Sequence, residues 1–177
     1  MVDLDSAIFY YDIAEARIKA TPALADKKRL ETYPAWTPDG KTLYFCSAPL
    51  LWANVEKVPP PRYREVKYDL MRISYDVATD RWGTLETVLS AADTGRSILL
   101  PRVSPDGRWL LLSLPGEGTA QDISVVSLEG EPEMRSFRQT EFQEAAAVFS
   151  PDGRWVAFHS NESGEFEIYV TPFPGPG

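Results

Sequence analysis

The hexapeptide Ser-Pro-Asp-Gly-Arg-Trp stands at 104–109 and again at 150–155, and a looser copy, Thr-Pro-Asp-Gly-Lys-Thr, stands at 37–42. Each copy separates a short apolar run from a longer one. Proline presets φ for the first central position of a turn, aspartate accepts hydrogen bonds from the backbone ahead of it, and glycine takes positive φ at no steric cost. The copies therefore read as strand, tight turn, strand, with Pro38, Asp39, Gly40, Pro105, Asp106, Gly107, Pro151, Asp152 and Gly153 as structural turn residues. A unit copied along a chain stacks on itself instead of folding around one unique core.

The unit around Asp106 is the clearest: strands over 98–104, 109–114, 122–128 and 133–139. The unit around Asp152 supplies strands over 145–150, 155–160 and 165–171 before prolines 172, 174 and 176 interrupt it. The unit around Asp39 opens at 33–37, returns over 42–47, and continues with strands at 68–75 and 86–90 after a turn at 76–83. Before it, 7–18 reads as one strand and 27–32 as a short polar strand at an outer edge. The post-turn strands RWLLLSL and RWVAFHS are apolar at nearly every position, the mark of a strand covered on both faces. With an all-β repeat of roughly 40 to 45 residues, radial stacking achieves this, and a sandwich, with polar outward positions, does not. The expected fold is an all-β propeller of four-stranded antiparallel blades: 1–32 a partial blade, 33–97 a blade with an insertion at 48–67, 98–140 a blade, and 141–177 a blade without its outer strand. Propellers close with four to eight blades, so these strands predict an incomplete ring.

The insertion sets the first unit apart, since Asp39 and Asp106 are 67 positions apart whereas Asp106 and Asp152 are 46. It carries the triple proline 59–61 and, in Trp52, Arg62, Tyr63 and Arg64, side chains of the kind that anchor partners. Two readings stand side by side: a partner-binding arm, and an arm that covers the edge of its own blade. In a meander blade the loop between the second and third strands emerges opposite the Pro-Asp-Gly turn, so 48–67, 115–121 and 161–164 are expected on one rim with the interblade links 91–97 and 140–144.

Charge narrows the partners. Twenty-six acidic against eighteen basic residues, net -8, argue against nucleic acid and anionic membranes, both of which need a basic surface. No apolar run approaches the roughly 20 residues of a membrane-spanning helix, and the first dozen residues have no signal-peptide pattern. The single cysteine, Cys46, excludes an internal disulfide and reads as a buried filler. The single histidine, His159, excludes a histidine metal cluster, and no GxSxG elbow accompanies it. Asp3 with Asp5, and Asp76 with Asp80, lack the spacing of a calcium loop. No catalytic residue, metal or cofactor is implied.

The succession of apolar strand, SPDGRW, apolar strand and IYV-type strand resembles the TolB-like family of bacterial β-propellers. YPAWTPDGKTLYFCSAP and LLPRVSPDGRWLLLSL are similar to bacterial surface or periplasmic propellers. SLEG and SPDGRWVAFHSNESGEFEIYVTPFPGPG are similar to the propellers attached to bacterial serine/threonine kinases, though no kinase motif is present. The resemblance implies a periplasmic or extracytoplasmic module that binds a protein or peptide without catalysis, or alternatively the substrate-screening propeller of a serine peptidase or other hydrolase. An open arc leaves apolar blade faces in water, so self-association that completes the ring is a further expectation.

Overall fold

A computed structural model of the chain describes residues 8–21, 29–49, 66–116 and 121–175. Their strands form four antiparallel sheets in chain order. The first is a hairpin of β1 (Phe9–Asp12) and β2 (Arg17–Ala20). The first blade holds β3 (Arg29–Trp36), β4 (Thr42–Pro49), β5 (Asp69–Asp76) and β6 (Arg81–Leu89). A one-turn helix, α1 (Ala91–Thr94), leads to the middle blade: β7 (Leu99–Val103), β8 (Trp109–Pro115), β9 (Gln121–Ser127) and β10 (Glu133–Arg138). The terminal blade has three strands, β11 (Glu144–Phe149), β12 (Trp155–Ser160) and β13 (Glu167–Pro172). Each blade is a meander in which neighbours in sequence are neighbours in space, and β3 and β11 both lie against β7. The innermost strands thus gather on one side, the arrangement of a propeller, and the sheets do not close into a ring.

The core lies between the sheets. Leu43, Phe45, Met71 and Ile73 of the first blade face the hairpin, where Ile8 joins them. Tyr44 and Leu70, on the blade's other face, meet Leu110, Leu112, Leu114 and Val126 of the middle blade. Leu111, Ile123, Val125 and Phe137 then meet Ala147, Val156 and Phe158 of the terminal blade. Each fully buried side chain of this size contributes about 1.5–3 kcal/mol. This alternation explains why β4 and β8 are apolar at most positions: odd and even positions serve different interfaces.

Three sequence readings are corrected. The stretch 7–18 is not one strand: the chain reverses after Asp12, whose Oδ1 accepts from Glu15 N at 3.0 Å, and Lys19 ties the arms by bridging Asp12 at 2.7 Å and Glu15 at 2.8 Å. The described part of the expected outer-edge strand, Arg29–Thr32, is the first half of the inner strand β3, paired with β4. The turn expected over 76–83 is shorter, because Asp76 accepts from Ala78 N and Thr79 Oγ1 at 2.9 and 2.7 Å and closes it at once. β6 then starts at Arg81, and Trp82 joins Tyr10, Trp36 and Tyr75 in an aromatic cluster with ring centroids 4.6–6.5 Å apart.

One repeated feature carries no sequence signature. Every inner strand has a bulge at the same place, with a non-glycine residue at positive φ: Tyr33 at 54°, Leu100 at 52° and Ala146 at 55°. The extra residue bends the strand and increases its twist.

Candidate binding rim

The Pro-Asp-Gly turns form one rim of the arc, and each repeats the same hydrogen-bond pattern. Asp106 Oδ1 accepts from Ser104 Oγ at 2.5 Å and Arg108 N at 3.1 Å, while Ser104 Oγ accepts from Trp109 N at 2.9 Å. Asp152 does the same with Ser150 and Arg154 at 2.6 and 3.1 Å, and Asp39 with Thr37 and Lys41 at 2.6 and 3.0 Å. These bonds, led by the hydroxyl, hold all three carboxyls below the ordinary aspartate range. Gly40, Gly107 and Gly153 sit at φ 69°, 74° and 72°, where only glycine is unstrained. The turns also stack: a Cβ on Gly107 would lie 3.8 Å from Pro38 Cδ, and one on Gly153 would lie 3.7 Å from Pro105 Cδ. The aspartates are spent within the turns.

The opposite rim is built differently. There Lys67, Gly95, Arg96, Ser97, Pro115, Gly116, Gln139, Thr140 and Glu141 surround a cleft of about 720 Å³, so described parts of four of the five segments expected on one rim line one hollow, and 161–164 lies outside its lining. Its wall is an arginine fixed by oxygen acceptors. Arg96 donates to Pro115 O at 2.7 Å and Leu114 O at 2.9 Å and pairs with the buried Asp122 at 2.5 Å. Lys67 Nζ donates to Gly95 O at 3.1 Å and remains exposed. Ser97 Oγ accepts from Tyr68 N at 3.0 Å, tying the interblade link to the start of β5. The exposed Glu141 and Gln139 form the other side, giving a polar hollow with both signs of charge.

The Arg96–Asp122 pair repeats one blade earlier, where Arg29 Nη2 lies 3.4 Å from Asp69 Oδ2. Both arginines stand eight residues before the turn hydroxyl, Arg29 before Thr37 and Arg96 before Ser104, and this offset was the available sequence signal. In the terminal blade the equivalent position is Phe142. The rim there is tied by Arg138, which bonds Glu162 at 2.5 Å and lies 3.8 Å from the fully buried Glu144. Gln143 N adds a 2.9 Å bond to Asn161 Oδ1.

Trp52, Arg62, Tyr63 and Arg64 lie outside the described residues. His159 is on β12 with its side chain exposed, away from the cleft lining. Cys46 is buried, and burial pushes its thiol up to about 12, which leaves it unreactive. Among the described residues no group of three His, Cys, Asp or Glu is placed to hold a metal ion, and no helix is long and apolar enough to cross a membrane.

These sheets define the class: an incomplete β-propeller of antiparallel blades. Solved structures agree at the level of fold. The chain is similar to TolB from Acinetobacter baumannii, with 20% identity and a TM-score of 0.62 over 97% of this chain and 36% of that one. It is similar to a puromycin-hydrolyzing peptidase of Mycobacterium tuberculosis at 14% identity and TM-score 0.65, covering 98% of this chain and 27% of that one. A chain of the nidogen/laminin complex matches at 14% identity and TM-score 0.64, covering 97% of this chain and 56% of that one. The chain thus spans about a third of the length of TolB. No family model matches the sequence.

Proposed function

We propose that this propeller module binds a protein or peptide at the rim opposite the Pro-Asp-Gly turns and performs no catalysis itself. The observation that carries this reading is the polar cleft between consecutive blades, with Lys67 and Glu141 exposed on its walls and Arg96 immobilised by Asp122 beneath them. A wall held by a partly buried ion pair loses little side-chain entropy when a partner docks. The only histidine stands elsewhere, so the cleft lacks a hydroxyl–imidazole pair for acyl transfer. Resemblance to TolB-like and kinase-attached propellers supports an extracytoplasmic setting and a sensing or scaffolding role. The peptidase neighbour supports a second reading, in which the same rim screens peptides for a hydrolase.

The test is selection of peptides from a displayed library on the immobilised chain, followed by affinity measurement on rim and turn variants. Lys67→Glu and Glu141→Lys should each weaken the selected peptides at least tenfold, about 1.4 kcal/mol, whereas Arg108→Ala on the turn rim should leave affinity unchanged. Equal loss from the turn variant would place binding elsewhere. Deleting 52–64 then reports on the insertion: unchanged affinity makes it a packing arm.

A further inference from the structure

The two ends of the arc expose apolar sheet faces of opposite kinds. On the terminal blade, Val148, Ala157 and Val170 form one cross-strand row, and His159 pairs with Ile168 in the next. Val148, Ile168 and Val170 are 43%, 64% and 62% exposed. The middle blade shows what such a face is for. Its Trp109, Leu111 and Val125 occupy the positions of Trp155, Ala157 and Val170, and there they are covered by the next blade, with the Phe173 ring 5.6 Å from that of Trp109. The face of β11–β13 therefore has the form that receives the preceding-side face of another sheet.

The other end supplies such a face. The hairpin turns Tyr10 toward the first blade, 5.7 Å from the Trp82 ring, and Lys19 toward Asp80 at 3.6 Å. Its opposite side, from the paired residues Phe9 with Ala20 and Tyr11 with Ile18, points away, with Phe9, Tyr11 and Ile18 exposed at 56%, 61% and 70%. That is the preceding-side face of the whole arc. Within one molecule the two faces are not joined.

We propose that they join between copies: the open face of β11–β13 in one molecule takes the outer face of the β1–β2 hairpin of a second, and the reverse contact closes a two-copy ring. Each copy brings four sheets, so the pair brings eight, within the range in which propellers close. Head-to-tail contacts either close a ring or grow a filament, and two-fold closure uses both faces of both copies. Rim binding plays no part in this contact, so the two proposals fail independently.

Light scattering on a size-exclusion column tests it. The chain should run at twice its 19.8 kDa mass at micromolar concentration. Ile168→Lys/Val170→Lys and Tyr11→Lys/Ile18→Lys should each run as monomers with an unchanged circular dichroism spectrum. An equal mixture of the two should recover a dimer, because each variant retains the face that the other has lost. A monomeric unmodified chain, species larger than two copies, or a dimer lost only with the terminal-blade variant would overturn the proposal. If either lysine variant fails to fold, Tyr11→Cys and Val170→Cys chains should form a mixed disulfide when combined, and failure to do so would also overturn it.

Discussion

The middle and terminal blades share the SPDGRW turn to the letter, with the same hydroxyl–aspartate–backbone network, yet β8 is buried throughout its centre while β12 alternates buried and exposed. The turn is a property of its own residues. Burial of the strand after it is a property of the neighbours, since β8 lies between two sheets and β12 against one. The blades differ inside as well. Six residues before the turn hydroxyl the middle blade has Ile98, in one buried cluster with Leu114, whereas the terminal blade has Glu144 opposite Ser160 and the first has Glu31 opposite Ser47. An apolar pair and an acid–hydroxyl pair thus solve the same buried position.

The sharpest way to break this comparison uses one residue type at equivalent places. Val125→Ala removes two methyl groups from a fully buried site and should destabilise by about 2 kcal/mol, transfer and cavity terms together. Val170→Ala, at 62% exposure, should stay within about 0.5 kcal/mol in dilute monomer. Urea denaturation of both proteins checks this. Equal losses would mean that the terminal face is already covered.

A change of opposite sign follows from the buried acid. Glu144 is fully buried; its Oε1 bonds Thr140 and lies 3.8 Å from Arg138 Nε, while Oε2 and that Nε make no hydrogen bond. Desolvating a carboxylate at so long a separation from its counter-ion is poorly repaid. Glu144→Ile/Ser160→Leu, which copies the middle blade, should stabilise by about 1 kcal/mol. Glu144→Ile alone should give less, because the small, polar Ser160 then stays opposite the new isoleucine. Thermal unfolding of the single and double variants separates the two effects.

The legible part of the molecule was local chemistry. Three turns, the meander order and the incomplete ring follow from tripeptides and strand counts that any neighbour leaves intact. The hairpin at 9–20 was missed because its turn, Ile13 to Ala16, contains neither glycine nor proline and depends on the Asp12 and Lys19 side chains. The inner bulges were invisible because Tyr33, Leu100 and Ala146 are residue types that ordinarily sit in strands, and none of them marks a positive φ in advance. The rim was predicted as a set of loops, but the Arg29–Asp69 and Arg96–Asp122 pairs join positions 40 and 26 residues apart. Such pairing is fixed by the register between strands, which apolar periodicity does not specify.

The smallest expected effect concerns pH and applies where the blades agree. Asp106 and Asp152 have carboxyls lowered from 3.8, first by the serine hydroxyl and then by backbone and arginine donors. The unfolded chain, with ordinary aspartates, takes up protons at higher pH than the folded one. Their contribution is therefore complete above the ordinary aspartate range and declines as pH falls through it toward the lowered folded values. Asp106→Asn/Asp152→Asn should be less stable than the parent at neutral pH, and the difference should shrink steadily below about pH 4. Chemical denaturation at a series of pH values gives the two curves. Parallel curves would show that both carboxylates titrate alike in the folded and unfolded chains, and that backbone and glycine alone hold the turns.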